Sequence, residues 1–267
     1  MQNIKSQLDS VDQSQKYGIL SSKFNSDQTI LHKAASDGQR KLIEYLLNSV
    51  PPVIRQLLLI ELDGKGQTPL HCAVQSNVAE SVSCLLESLS FGDRERLLMI
   101  KDLNGETALH QACRQDSESL IQLLLKDERS RYAQLEIQNI FGETALHISS
   151  LATLEIILHS IPRYEIFDLL KKQNLEGSTV LHIKVEEGNF LAVDDLLSVL
   201  TPCETALIVR LHRNDGKTVL DIAKANSNTE IITKIEQAEE GSNRMCKFFF
   251  YQINNSSYLP EKLLLNM

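Results

Sequence analysis

The chain alternates between apolar stripes of helical spacing and polar breaks, and this alternation recurs along most of its length. The clearest case has a first stripe of Leu109, Ala112 and Cys113 and a second stripe of Leu120, Ile121, Leu124 and Leu125. Spacings of three and four residues place each stripe on one face of a helix. Turn-forming residues separate the stripes in several places, namely Gly38, Asn77, Asp116 and Gly188. The pattern therefore predicts pairs of short helices that pack antiparallel.

A nine-residue phrase returns six times at the start of the first stripe. Its copies are DQTILHKAA from Asp27, GQTPLHCAV from Gly66, GETALHQAC from Gly105, GETALHISS from Gly142, GSTVLHIKV from Gly177 and GKTVLDIAK from Gly216. The histidine column is His32, His71, His110, His147 and His182, followed by Asp221, with separations of 39, 39, 37, 35 and 39 residues. Periods of this size predict a solenoid of stacked units.

Each phrase has the features of a helix start. The Gly supplies the backbone freedom of a tight turn, and the Thr two residues later is a candidate N-cap. Pro69 fits the first helical position, because a proline there removes an N–H that would have had no partner inside the helix.

The phrases GQTPLHCAV and GETALHQAC, each followed by a Leu-Leu pair 14 and 15 residues after the His, resemble the ankyrin repeat. The resemblance covers Phe24 to about Ile235, or 212 of 267 residues. It implies an all-α fold, an ankyrin-repeat solenoid of stacked helix-turn-helix units with hairpin fingers. The predicted organisation is a polar N-terminal segment at 1–23, six repeats at 24–235 and a C-terminal segment at 236–267.

Two departures from the usual repeat of about 33 residues are informative. The extra length lies in connectors such as RQLLLIELDG from Arg55 and RERLLMIKDLNG from Arg94, where we expect an extra helical turn or an extended piece. The fourth repeat lacks four residues between its helices, since Ile157 and Leu158 come 10 and 11 residues after His147. Irregular stacking is expected there.

The two flanking segments differ in character. Residues 1–23 are polar, which predicts a flexible segment or a frayed leading helix. The C-terminal segment turns apolar at Phe248, Phe249, Phe250 and Tyr251, so we expect it to pack on the last repeat as a cap; a partner-docking or membrane-touching role is the alternative.

Composition narrows the classes of function. Twenty-seven basic and 35 acidic residues give a formal charge of −8, which disfavours general nucleic-acid binding. Apolar runs are too short for a membrane span, and the N-terminus lacks the apolar core of a secretory signal. We expect a cytoplasmic protein, with nuclear entry left open, whose five cysteines are free thiols.

Nothing in the sequence indicates catalysis, a cofactor or a metal site. Histidines of consecutive repeats lie about 8–10 Å apart, too far to share an ion. Each is expected to bond turn backbone or the neighbouring Thr hydroxyl, tying a finger to a helix. His71 and Cys72 are adjacent on a helix and do not face each other, which argues against a catalytic dyad.

The ankyrin resemblance implies partner contacts at the finger tips and on the concave side of the first helices. The predicted partner-binding residues are Lys65, Gln67, Gln75, Leu103, Asn104, Glu106, Arg114, Ile140, Phe141, Glu143, Leu175, Glu176, Glu186 and Glu187. Apolar tips at Leu103, Ile140, Phe141 and Leu175 suggest an anchor row, or tips that fold back on adjacent fingers. The glutamates suggest either a partner with a basic segment or a solvated charged face.

These observations favour a non-enzymatic interaction module or scaffold that binds another protein on its concave finger surface, as a monomer by default. One alternative is an inhibitor resembling the IκB family, because Asp9-Ser10-Val11-Asp12-Gln13-Ser14 is similar to that family's double-serine degradation signal, with Val11 in place of its Gly. Another is a non-catalytic fragment of a larger receptor or enzyme.

Overall fold

The computed structural model describes residue 8 and residues 10–241, apart from the side chains of residues 13 and 14. All regular secondary structure in this part of the chain is helical, which confirms the all-α prediction. The chain divides into two compact units between Pro162 and Arg163. The predicted C-terminal cap lies, from residue 242 on, outside the described residues.

Four repeats and a leading helix make up the first unit. Its helices are α1 (Gln13–Leu20), α2 (Ile30–Ser36), α3 (Arg40–Asn48), α4 (Pro52–Leu59), α5 (Pro69–Gln75), α6 (Ala79–Glu87), α7 (Phe91–Leu98), α8 (Ala108–Arg114), α9 (Glu118–Leu124), α10 (Glu128–Glu136), α11 (Ala145–Ile148) and α12 (Leu151–Ser160). Within this unit the first helices of successive repeats pack side by side, and so do the second helices.

The second unit carries the last two repeats. Its helices are α13 (Arg163–Leu170), α14 (Val180–Glu186), α15 (Phe190–Ser198), α16 (Pro202–Ile208), α17 (Val219–Ala225) and α18 (229–241). Here α14 packs against both α15 and α17.

The predicted threonine N-caps are present in all six repeats. In α5 the Thr68 hydroxyl oxygen accepts from the backbone N–H of His71 at 3.4 Å, while Nδ1 of His71 accepts from the backbone N–H of Thr68 at 3.2 Å. This reciprocal pair is a capping box in which His replaces the more usual Glu or Gln. In the sixth repeat Asp221 takes the histidine's place and accepts from the N–H of Thr218 at 2.9 Å.

The turn between the two helices of a repeat requires left-handed backbone. Gly38 and Gly188 have φ of 69° and 68°, and Asn77 and Asp116 adopt 54° and 55°. Asn and Asp tolerate this region better than other non-glycine residues. In the shortened fourth repeat α11 has four residues, and Ser150 starts α12 directly as its N-cap.

The connectors are helices, which makes most repeats helix triplets. The sequence leaves open an extra helical turn or an extended piece, and the structure has α4, α7, α10, α13 and α16, each of seven to nine residues. Local signals start them: Pro52 occupies the first turn of α4, and Thr201 and Glu204 form a capping box on α16. The third helix accounts for a period longer than the usual repeat.

Arginines in the connectors tie repeats together. Nε of Arg55 donates to the Leu47 carbonyl of its own repeat at 3.0 Å, and Nη1 donates to the Ser88 carbonyl of the next repeat at 3.3 Å. These carbonyls end helices and have no intrahelical donor, so the guanidinium satisfies both. Arg131 makes the same kind of double contact.

For residues 1–23 the sequence left open a flexible segment or a frayed leading helix, and the structure has a helix there. Helix α1 packs against α4, Leu20 is buried, and the Tyr17 hydroxyl donates to Glu61 at 2.8 Å. Residues 13–20 of the N-terminal segment therefore form a helix that covers the first repeat.

Candidate partner-binding surface

Each finger is held by an acidic or amide side chain that accepts from its own backbone. Oδ1 of Asp102 accepts from the N–H groups of Asn104 at 2.8 Å and Glu106 at 2.9 Å. Asn139 Oδ1 does the same for the next finger, with Phe141 at 2.9 Å. These local bonds fix the finger before any partner binds, so little backbone conformational freedom remains to be lost on association.

Adjacent fingers in the first unit are joined through backbone hydrogen bonds. The N–H of Leu103 donates to the Lys65 carbonyl at 3.1 Å, and the N–H of Ile140 donates to the Asn104 carbonyl at 3.1 Å. The fingers approach so closely that a Cβ at Gly105, where φ is +70°, would lie 2.9 Å from the Ile140 nitrogen. The tips are consequently fixed relative to each other.

Three apolar side chains at two neighbouring tips are exposed. Leu103 is 72% exposed, Ile140 53% and Phe141 57%. We call these three residues the apolar fingertip patch. The patch offers apolar side chains to solvent on a rigid base, as a protein-binding anchor does.

The other predicted contact residues of the first unit fall into two groups. Lys65, Gln75, Asn104 and Arg114 are exposed, and Glu143 is half-buried. Gln67 and Glu106 are buried, so they offer little surface to a partner. Their backbone carbonyls accept from the histidine of the preceding repeat, which explains the burial.

Most of the predicted acidic residues already have partners within the chain. The Glu106 carboxylate pairs with Arg114. In the second unit, Leu175 is 69% exposed, and Arg213 pairs with Glu176 at 3.3 Å and with Glu186 at 3.0 Å. The acidic character of this surface is thus partly neutralised by arginines.

Glu187 pairs with an unusual lysine. The Lys184 side chain is 2% exposed, and its ammonium lies 3.0 Å from the nearer carboxylate oxygen of Glu187. The exposed carboxylate thereby balances a buried charge.

Sequence reasoning missed these pairings, although their signals were present. Arg114 stands eight residues after Glu106, at the end of the first helix that follows this finger residue. Arg213 lies in the finger of the next repeat, 37 residues after Glu176. The connector arginines were missed in the same way, since Arg55, Arg94 and Arg131 recur at repeat spacing.

The histidine column has the structural role that the sequence predicts. In His71, Nδ1 is 2.8 Å from the Thr68 hydroxyl, and Nε2 is 3.2 Å from the Glu106 carbonyl of the next finger. Because Nδ1 accepts from a backbone N–H, the neutral ring with its proton on Nε2 satisfies both sides. Nε2 of His32 and of His110 contacts the next finger in the same way, so each of these three imidazoles ties its helix to the following finger.

Burial shifts the pKa values of four column histidines and of Cys72. Desolvation lowers the pKa of His32, His71 and His110, and lowers that of His182 to about 4, in each case against a smaller opposing effect of the backbone hydrogen bond. Burial also raises the pKa of the Cys72 thiol to about 12. A thiol in this state is a poor nucleophile, which agrees with the expectation that His71 and Cys72 are no catalytic dyad.

Metal binding, membrane spanning and the double-serine near-match are three further features that the sequence raises. Within residue 8 and residues 10–241, no group of three or more His, Cys, Asp or Glu side chains is arranged to hold a metal ion. No helix in that same part of the chain has the length and apolar character needed to span a bilayer. In the double-serine near-match, Asp9 and the side chain of Ser14 lie outside the described residues, and Asp12 caps α1 by accepting from the Gln15 N–H at 3.0 Å.

Comparison with known proteins agrees with this geometry. A family model described as three copies of ankyrin repeats matches residues 8–95, and a single ankyrin-repeat model matches residues 104–140. No curated protein sequence matches the chain.

Solved structures of ankyrin-repeat proteins share the fold. An ankyrin repeat domain from Acinetobacter baumannii AYE is 21% identical with a TM-score of 0.61, covering 78% of this chain and 96% of that one. The ankyrin repeat domain of Bcl-3, a member of the IκB protein family, is 22% identical with a TM-score of 0.57, covering 80% and 100%. A chain from the complex of the Bdellovibrio bacteriovorus predatory endopeptidase Bd0816 with immunity protein Bd3460 is 22% identical with a TM-score of 0.58, covering 81% and 99%.

Proposed function

Because the chain belongs to the ankyrin-repeat family, we propose that it is a non-enzymatic interaction module that binds a partner polypeptide at the apolar fingertip patch. Ankyrin repeats are generally protein-interaction modules without catalytic activity. The observation that carries the proposal is the exposure of Leu103, Ile140 and Phe141 on fingers fixed by backbone hydrogen bonds.

The energetics favour an apolar contact over a charged one. Burying a leucine or phenylalanine side chain contributes about 1.5–3 kcal/mol, whereas exposed ion pairs contribute about 0–1 kcal/mol. Glu106, Glu176 and Glu186 already pair with arginines of this chain, so a basic partner would have to compete with those pairs. We therefore assign most of the affinity to the patch.

Affinity capture with matched variants tests the proposal. The fingertip variant carries Leu103→Ser, Ile140→Ser and Phe141→Ser. The control variant carries Val53→Ser, Leu57→Ser and Ile60→Ser, three exposed apolar positions in or directly after connector helix α4. We expect a partner protein that the wild type and the control retain from native cell extract, as quantified by mass spectrometry, and that the fingertip variant loses.

Two results would contradict the proposal. Equal recovery of every protein by the fingertip and control variants would remove the patch as the binding site. Affinity that falls steeply with added salt would assign binding to charges, as a partner with a basic segment requires.

A further inference from the structure

Connector helices α4, α7 and α10 of the first unit pack against one another in a row. Gln56 of α4 donates to the Asp93 carboxylate of α7. The guanidinium of Arg129 in α10 lies 5.4 Å from the centre of the Phe91 ring in α7. The side of a connector that faces the next repeat is therefore in contact with the following connector.

In the second unit, α16 is the last connector among the described residues. The sixth finger, α17 and α18 follow it, and the description stops at residue 241 in α18. A groove of about 290 Å³ lies between α15, α16 and α18. Leu197 and Ser198 of α15, Pro202 and Thr205 of α16, and Ala238 and Gly241 of α18 are among the residues that line it.

The groove is mostly apolar, and its charge is already balanced. Leu197 is buried, while Pro202 and Ala238 are half-buried. Within the described part of the chain, Lys234 is the only charged residue in the lining, and its ammonium pairs with the Asp194 carboxylate of α15. An apolar occupant would therefore cover apolar surface without leaving a charge uncompensated.

The chain supplies an apolar segment directly after the groove. Gly241 lines the groove, and residues 242–267 follow it in the sequence. Phe248, Phe249, Phe250 and Tyr251 lie 7–10 residues beyond Gly241. Because seven residues span at most about 25 Å when extended, these aromatic residues can reach a groove that begins at Gly241.

The register of the repeats singles out Phe248. In the first, second and fifth repeats, a buried residue stands at the end of the connector 27 positions after the column histidine, namely Leu59, Leu98 and Val209. Phe248 follows Asp221 of the sixth repeat by the same 27 positions. An apolar residue is thus present where a connector of this chain buries a side chain.

The path into the groove differs from that of the other connectors. Helix α18 is described through residue 241, which is 20 positions after Asp221, the separation at which α4, α7 and α16 begin. The segment therefore has to reverse direction beyond Gly241 to enter the groove. Gly241, Ser242 and Asn243 suit such a reversal, because Gly and Asn are typical of helix ends.

We propose that residues 244–251 of this chain dock in the groove between α15, α16 and α18, with Phe248 as the anchor. The segment takes the place of a sixth connector and covers α16 as α7 covers α4. This gives the C-terminal cap predicted from the sequence a defined position. The groove uses no residue of the apolar fingertip patch, so this proposal does not depend on the proposed function.

A single fluorophore tests whether position 248 is buried. Because the chain has no Trp, Phe248→Trp in the full chain gives an emission that reports on this position alone. We expect a blue-shifted emission and weaker quenching by acrylamide in the native protein than in urea.

Two alanine substitutions, each combined with Phe248→Trp, identify the groove as the site. Ala238→Glu places a carboxylate in the groove, so it should shift the emission to that of the unfolded chain. Ala225→Glu makes the same change at an exposed alanine of α17 outside the groove, and it should leave the emission unchanged. Far-UV circular dichroism checks that both variants keep their helices.

Photocrosslinking tests the same contact without adding a charge, so it does not depend on whether Ala238→Glu folds. A benzophenone side chain is placed at Ser198, an exposed residue of α15 that lines the groove, or at Leu191, an exposed residue of the same helix that does not. Isotope-labelled and unlabelled chains are mixed before irradiation. Mass spectrometry should find crosslinks from Ser198, but not from Leu191, to the peptide that contains Phe248 of the same chain.

Four results would overturn the proposal. A native emission equal to that of the unfolded chain would show that position 248 is exposed, as a partner-docking or membrane-touching segment requires. Equal emission from the Ala238→Glu and Ala225→Glu variants would place Phe248 outside the groove. Equal crosslinking from Ser198 and Leu191 would mean unspecific contact, and crosslinks between labelled and unlabelled chains would assign the groove to a second copy.

Discussion

Acidification should destabilise the second unit through His182, and the structure permits the size of the effect to be worked out. This imidazole is buried, its Nδ1 accepts from the Thr179 N–H at 3.2 Å, and its Nε2 lies 3.1 Å from the Leu211 carbonyl. A second proton would sit on Nδ1, directly against the Thr179 N–H. Burial accordingly lowers the pKa of His182 from 6.5 to about 4 in the folded chain.

The sign of the effect follows from proton linkage. The unfolded state has the higher pKa, so it binds more protons and gains stability relative to the folded state as the pH falls below about 6.5. The stabilisation by neutral His182 is complete above that pH and is lost progressively down to about pH 4. The pKa difference corresponds to a total loss of about 3 kcal/mol, of which about 2 kcal/mol is lost by about pH 5.

A variant isolates this contribution from the titration of carboxylates. His182→Asn keeps a side-chain oxygen for the Thr179 N–H, as Asp221 does for Thr218 in the next repeat, and it does not titrate. Urea unfolding is followed by far-UV circular dichroism, since the chain has no Trp. The wild type should lose about 2 kcal/mol more than the variant between about pH 7.5 and about pH 5. Equal losses in both proteins would refute the reasoning.

Three further experiments, two with substitutions and one with a thiol reagent, test other parts of the structure. Arg55→Met should lower the free energy of unfolding in urea by about 1–3 kcal/mol, because two helix-end carbonyls lose their donor; no change would mean that the arginine contacts are incidental. Gly105→Ala should destabilise more than Gly216→Ala, because both have positive φ but a Cβ meets the next finger's backbone at Gly105 and open space at Gly216; equal thermal unfolding midpoints would contradict the close approach. In a Cys246→Ser background, an aromatic disulfide reagent should label the exposed Cys203 in the native protein and the buried thiols of the first unit after unfolding, and rapid labelling of those buried thiols would show that the core is open.

Local patterns carried most of what the sequence predicted correctly. The Thr N-caps, Pro69 at the first helical position and the left-handed turns at Asn77 and Asp116 each depend on a few neighbouring residues. Such signals do not depend on how the helices pack. A backbone N–H at a helix start needs an acceptor, and a positive φ favours Gly, Asn or Asp, in every fold. Six copies of one phrase then fixed the repeat and its register.

The sequence predicts where the connectors lie, but it does not predict that they are helices. RQLLLIELDG is too short for its apolar positions to separate a helix from an extended piece, and Glu128–Glu136 has no clear apolar stripe. Contacts with neighbouring helices hold the connectors in place, as when Arg55 of α4 donates to the Leu47 and Ser88 carbonyls at the ends of α3 and α6. That information is nonlocal, so periodicity alone could not supply it.

For the candidate surface, residue type predicted exposure in some cases and misled in others. Leu103, Ile140 and Phe141 are exposed at their finger tips, whereas Gln67 and Glu106 are buried. The difference arises because the finger bends back so that some of its residues face the preceding repeat. Whether the patch binds a partner stays a prediction.

The sequence by itself determined the repeating unit, the start of each first helix and the column of histidines, since each of these follows from hydrogen-bonding demands within a few residues. The tertiary structure decided which carboxylates are already paired and which apolar side chains reach solvent. Those properties depend on contacts between separate elements, such as Glu106 with Arg114 across one repeat and Glu176 with Arg213 in neighbouring fingers, which no local pattern contains.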